Sequence, residues 1–321
     1  MKRLSPAAYV GAVLLLIVTV LGFSGLYVGI NDPYWIWRQE PPWYREGRGY
    51  NRVLDKKERF AKAIQLVARR PDVIVIGNSR VLRGIDTEGR GTSIWYNAGI
   101  PSLRIREADA YIRHALNWKP EATIIFGLDY IMFDSQTPYQ PGFDKDVTRR
   151  RYLIKAIPIS LFTKMAYKDA RRVQKSSGDD DGPWTYSGFK VSSQRSREAV
   201  ESGLEWFNNK RTVITPIEYE VFSGILDMAV HHKVRLIIFL SPVNKRQVDG
   251  MKADGEYAAF MEWRKRVSAI ARRKGVEFHD FSLDNPFYHD RIAAGSSKYW
   301  IDASHYSPVV GDWILRSIGL I

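Results

Sequence analysis

At 321 residues the chain is long enough for one large α/β domain or two small ones, with a sizeable core. Its 45% hydrophobic and 26% charged residues exclude a disordered chain, and the absence of cysteine excludes a disulfide framework, a thiolate nucleophile and a thiolate metal site. The net charge of +13 would suit nucleic acid in a cytosolic protein, but no zinc-knuckle, RNP or helix-turn-helix pattern accompanies it, so no nucleic-acid partner is expected. Outside a membrane the same charge meets anionic headgroups or acidic polymers, or is only a solvated basic surface.

From Leu4 to Asn31 there is no charged residue, and AAYVGAVLLLIVTVLGFSGLYVGI is long enough to cross a hydrocarbon core of roughly 30 Å as a helix. A signal peptide is the rival reading, because Lys2 and Arg3 resemble a positive n-region. The apolar run is longer than a usual h-region and no A-x-A site follows it, so residues 1–31 are expected to be a tail and an uncleaved anchor. By the positive-inside rule the tail is then cytoplasmic, and the rest lies on the periplasmic side of the inner (cell) membrane. Residues 32–53, rich in Trp, Tyr, Pro and Arg, read as a juxtamembrane linker. Their aromatic residues suit an interfacial belt, with sugar stacking as the alternative.

Residues 54–321 alternate helix and strand. Helices are predicted at 54–70, 104–118, 214–232, 256–275 and 307–318, and strands at 71–77, 93–99, 121–130, 233–242 and 276–282. Thr215 is a plausible N-cap before Pro216, and Gly275 ends the fourth of these helices. Strands that are apolar throughout argue for an α/β three-layer sandwich around a parallel sheet. The polar stretch 131–214, with KSSGDDDGPW inside it, is too long for a connection and reads as an insertion: a lid or acceptor-binding region over the site. Its Trp184 and Trp206 would stack on sugars or pack in the core.

In an open parallel sheet ligands bind beyond the carboxyl ends of the strands. Three polar segments fall there: GNSR (77–80), NAGIPS (97–102) and GLDY (127–130); a fourth, IDASHYSP (301–308), precedes the last helix. A serine hydroxyl needs a base within hydrogen-bond reach to act as a nucleophile. His305 can accept that proton, and Asp302, three residues earlier, can hold its tautomer and stabilise the imidazolium. Ser79 could instead be a helix cap, and His305 a structural residue near a helix start. Arg80 either holds an acidic substrate group or pairs with a carboxylate. His231 and His232 close a helix, where cationic side chains suit the dipole. No metal-ligand pattern such as H-E-x-x-H occurs, so no metal and no cofactor are expected.

Together these segments resemble the SGNH hydrolase superfamily, which includes GDSL esterases and bacterial envelope O-acetyltransferases. Gly77-Asn78-Ser79-Arg80 matches its nucleophile block, Asn97-Ala98-Gly99 the block that carries an oxyanion glycine, and Asp302-Ala303-Ser304-His305 its Asp-x-x-His block. The third block departs: Gly127-Leu128-Asp129 stands where the family has Gly-x-Asn, placing a carboxylate where an oxyanion donor is expected. The resemblance implies Ser79 as nucleophile, Asp302 and His305 as base system, and the N–H groups of Ser79 and Gly99, with the Asp129 region, around the oxyanion. Asn78 and Asn97 join Arg80 as candidate substrate contacts. The pattern looks closest to single-pass proteins that work beside polytopic membrane O-acyltransferases in exopolysaccharide or teichoic acid modification. The expected function is transfer of an acyl group, acetyl above all, to a polysaccharide hydroxyl, with the polytopic partner supplying the acyl group. An esterase of the same fold and a non-catalytic scaffold subunit are the alternatives.

Overall fold

The computed structural model describes residues 5–45, 48–136, 147–149, 151–175, 182–192, 211–290 and 297–321. Its first element, α1 (Pro6–Asn31), starts where the Ser5 hydroxyl accepts the Ala8 N–H and Pro6 fills the first helical position. It is the one helix among the described residues long and apolar enough to cross a membrane. Most of its length is exposed, but Gly25, Val28 and Asn31 are buried against the rest of the protein.

The chain then folds back. Asp32 takes a left-handed conformation (φ 39°), and its carboxylate accepts the N–H groups of Ile36, Trp37 and Arg38 at 2.7, 2.7 and 2.9 Å. Trp43 Nε1–H donates to the Asn31 carbonyl at 2.7 Å. Tyr34, Trp35 and Trp43 are buried core residues, which corrects the interfacial-belt reading: of the tryptophans in this segment only Trp37 stays exposed. Nor is the segment a loose linker, since it is packed and capped.

A short antiparallel pair, β1 (Tyr44–Arg45) and β2 (Arg48–Gly49), leads to α2 (Arg52–Arg69), whose Asn51 cap accepts from Val53 and Leu54. The α/β part follows: β3 (Val73–Ile76), α3 (Ser79–Gly84), β4 (Trp95–Asn97), α4 (Ile105–Trp118), β5 (Thr123–Leu128) and a 3-10 turn at Tyr130–Phe133. After it come α5 (Tyr152–Phe162), α6 (Lys164–Val173), α7 (Pro216–His231), β6 (Leu236–Leu240), α8 (Lys245–Ala253), α9 (Tyr257–Lys274), β7 (Glu277–Asp280) and α10 (Pro308–Ser317). Thr215 and Glu218 form a capping box at the start of α7, and Gly275 (φ 67°) closes α9 in the left-handed conformation.

The five central strands are all parallel, in the order β4-β3-β5-β6-β7. Alternate residues serve opposite faces. Ile74, Ile76, Ile124, Phe126, Ile238 and Leu240 join a core with Ile64, Ile112, Phe222 and Trp263 of α2, α4, α7 and α9. Val75, Ile125, Ile237 and Phe239 join Val310, Ile314 and Leu315 of α10. Burial on both faces is why these strands read as unbroken apolar runs. From β3 the chain moves first to β4 on one side and then to β5 on the other, so a crevice opens between the carboxyl ends of β3 and β5.

The described helices of the 131–214 insertion, α5 and α6, pack on α1 and α2. They buttress the apolar helix; residues 137–146, 150, 176–181 and 193–210 of the stretch read as a lid or acceptor-binding region lie outside the described residues. Residues 182–192 flank β4: Asn97 N–H donates to the Ser187 carbonyl at 2.7 Å and Lys190 N–H to that of Leu82 at 3.2 Å. Trp184 is buried, its Nε1–H on Asp55, so it belongs to the core; Trp206 lies outside the described residues.

Replacing Asp32 with Ala leaves three backbone N–H groups without their acceptor, at about 1–3 kcal/mol for a buried unsatisfied group. The expected outcome is a thermal midpoint several degrees lower in detergent; an unchanged midpoint contradicts the capping role.

Candidate active site

Ser79 owes its position to a tight strand-to-helix turn. β3 ends at Ile76, and Gly77 follows with no room for a side chain, since a Cβ there would lie 2.9 Å from the Gly127 carbonyl oxygen of β5. Asn78 then caps α3, its Oδ1 accepting the Arg80 N–H at 2.9 Å. Ser79 is the first residue of that helix, at the β3/β5 crevice, and its N–H has no acceptor within the helix.

The loop before α10 supplies the partners. Ser79 Oγ–H donates to His305 Nε2 at 2.8 Å, and His305 Nδ1–H donates to Asp302, with Oδ1 at 2.9 and Oδ2 at 2.8 Å. Asp302 also accepts the backbone N–H groups of Ser304 and His305, both at 2.9 Å. Burial alone would raise the Asp302 carboxyl, but the His305 imidazole and these N–H groups outweigh it and hold the group well below the usual carboxylate range. The ionised form therefore favours the fold at neutral pH, a contribution lost as pH falls below that range. The Ser79 and His305 side chains are half-buried.

Two distant segments meet here because α3 and α10 cross at very short range. Gly311 of α10 lies against the carbonyl of Gly84 at the end of α3, where a Cβ would overlap that oxygen. The ring of Tyr306, buried next to His305, fills the space that a Gly84 side chain would need. The Arg80 guanidinium sits over the same ring, 5.6 Å from its centroid.

The remaining sequence candidates fall into supporting places. Arg80 is buried, and its Nη1 donates to Asp129 Oδ1 at 2.5 Å while Nη2 reaches the Pro242 carbonyl. Of the two readings given for Arg80, this is the pairing with a carboxylate. Asp129 accepts that pair and the Ser241 hydroxyl at 3.1 Å, so its carboxylate is neutralised and is no oxyanion donor. Asn97 is fully buried; its Nδ2 donates to the Val81 and Ile85 carbonyls at the end of α3, which corrects its substrate assignment. Its Oδ1 accepts the Gly99 N–H at 2.8 Å. That N–H is spent, which corrects Gly99 as an oxyanion donor. The glycine is needed for space, because a Cβ would lie 2.6 Å from the Leu82 nitrogen. The N–H of Ser79 remains, and Asn78 Nδ2 has no partner among the described residues.

Behind Asn97, the buried Lys62 Nζ donates to the carbonyls of Asn97 and Gly188 at 2.6 and 2.8 Å. Burial pushes Lys62 down to about 7 against the pull of Glu58, and pushes Glu58 up to about 7 against that of Lys62. Ser241, Pro242, Tyr306 and Gly311 were not singled out from sequence. The usable signals were a Ser-Pro pair ending a predicted strand and an isolated glycine inside a helical pattern. No protein-family model matches the chain, and no curated protein does either.

Gly311→Ala tests whether the helix crossing sets the site. A methyl at this contact forces α10 away from α3 and draws His305 from Ser79. Loss of Ser79 reactivity toward a fluorophosphonate probe of 10²-fold order is expected for roughly 1 Å of displacement. Unchanged reactivity refutes the dependence.

Proposed function

We propose that this protein is a serine-dependent acyltransferase of the SGNH type, with a three-layer sandwich held by α1 at the cell membrane and its domain on the periplasmic side. What supports the reading is the hydrogen-bonded series from Ser79 through His305 to an ionised Asp302, at the carboxyl-end crevice of a parallel sheet. An anchor is favoured over a cleaved signal sequence because the end of α1 is part of the packed protein. Gln174 Nε2 donates to Asn31 Oδ1 at 2.7 Å, and Trp43 closes on the Asn31 carbonyl.

The chemistry proceeds in two halves. Ser79 Oγ attacks the carbonyl carbon of the acyl donor as its proton passes to His305 Nε2, and Asp302 stabilises the imidazolium. The tetrahedral oxyanion takes the Ser79 N–H, with the Asn78 amide beside it. Collapse breaks the bond to the donor's oxygen, which leaves with the proton from His305, and acyl-Ser79 remains. A hydroxyl of an envelope polysaccharide then attacks the acyl carbon, giving its proton to His305; the new ester departs and Ser79 regains the proton. A polytopic membrane O-acyltransferase would supply the acyl group from its own bound donor. The Arg80–Asp129 pair removes the objection that a bare carboxylate would repel the oxyanion.

The test is mass spectrometry of Ser79 in cells, where an acyl adduct, acetyl above all, is expected. Ser79→Ala should abolish the adduct and the polymer modification while folding survives. Asp302→Asn should retain the shape and lose activity by on the order of 10⁴-fold, as in the serine-protease template. Full polymer modification by Ser79→Ala would overturn the enzymatic reading in favour of a scaffold.

A further inference from the structure

The α5–α6 hairpin carries a feature that the acyl-transfer reading does not use. On α5, Ile154, Pro158 and Phe162 follow one another at i, i+4 and i+8, so they share one face, and that face is exposed. Ile154 is 73% and Phe162 47% exposed, and Met165 at the start of α6 is 38% exposed. An apolar stripe of this kind on a helix already packed on its other side has no aqueous rationale.

The charge around the stripe is of one sign. Residues 151–175 contain seven Lys and Arg and a single acid, Asp169. That acid is buried; it accepts the Tyr34 hydroxyl at 2.9 Å and pairs with Arg172, whose Nη1 lies 3.4 Å from its Oδ1. Lys155, Lys164, Lys168, Arg171 and Arg172 are all exposed.

The position of the hairpin along α1 supplies the third argument. Phe162 packs against Gly25, where a Cβ would overlap its ring, and Leu161 lies 3.8 Å from the Cβ position of Gly29. From Pro6 to Gly25 the helix rises about 28 Å at 1.5 Å per residue, close to the roughly 30 Å of a hydrocarbon core. If α1 crosses from its first turn, the hairpin meets it at the far hydrocarbon boundary.

We propose that α5–α6 is a second membrane contact, in which Ile154, Pro158 and Phe162 sink into the acyl boundary of an anionic leaflet while Lys164, Lys168 and Arg171 pair with headgroup phosphates. This rests on α1 as a membrane span and is independent of acyl transfer. A single helix lets a domain swing about its axis. Two contacts fix the tilt of the domain, and with it the direction in which the Ser79 crevice faces.

The absence of cysteine makes the test direct. Single cysteines at 154, 162 and, as an aqueous control, Val230 on α7 are spin-labelled in the full chain in nanodiscs, with phosphatidylcholine alone or with added phosphatidylglycerol. Accessibility to oxygen and to a nickel chelate is then compared. With phosphatidylglycerol, labels at 154 and 162 should show an oxygen-to-nickel ratio several-fold above that at 230. Replacing Lys164, Lys168 and Arg171 with Glu should reduce that ratio without changing the thermal midpoint by more than a few degrees. Nickel access at 154 and 162 equal to that at 230 in both lipids overturns the proposal. So does shielding from both reagents, which would mean a protein partner, and so does a ratio indifferent to phosphatidylglycerol and to the charge reversals.

Discussion

The contact between Gly84 and Gly311 governs the rest of the site. Ser79 and His305 lie 226 residues apart, and nothing in local structure brings them together. What does is the approach of α3 and α10 to a distance that only two glycines permit, with the Tyr306 ring wedged into the space. Because Ser79 begins α3 and His305 stands three residues before α10, the crossing sets the Oγ to Nε2 distance almost without slack. Backbone N–H groups of the Asp302 loop then help to hold the carboxylate against the imidazole.

A buried ion pair lies at this crossing. Arg80 and Asp129 neutralise each other beneath Ser79, with Ser241 and the Pro242 carbonyl taking further bonds. Removing one member would leave a buried charge uncompensated, which costs more than the pair contributes. The pair also ties the first turn of α3 to the ends of β5 and β6, so electrostatics and the placement of Ser79 are one arrangement. Lys62 acts similarly at the end of β4, satisfying two carbonyls that would otherwise be buried without donors.

The attachment of α1 follows the same economy of slack. Helix and domain are joined by a capped reversal at Asp32, by Trp43 on the Asn31 carbonyl and by the α5–α6 hairpin at Gly25 and Gly29. A flexible tether would let the crevice sample many orientations toward a membrane, whereas this joint transmits the orientation of α1 to the sheet.

The alternation of buried strands and amphipathic helices, the apolar first helix and the Ser79, Asp302 and His305 positions were legible in the sequence, because period, length and short motifs are local properties. Strand ends moved inward by one to three residues, as Leu236–Leu240 against 233–242 shows, since pairing partners and not propensity decide where a ladder stops. The six-residue α3 is too short to carry a helical period. The roles of Arg80, Asn97, Gly99 and Asp129 were beyond the sequence for a different reason. Each has polar groups that serve either a ligand or the protein, and only the tertiary structure shows which partner is within reach. For Asn97 it is the carbonyls ending α3; for Asp129 it is Arg80. The burial of Tyr34, Trp35 and Trp43 was decided in the same way, by a chain reversal at Asp32 whose left-handed turn no periodicity announces. Residue types determined what chemistry was available here, and long-range packing decided which groups were left free to perform it.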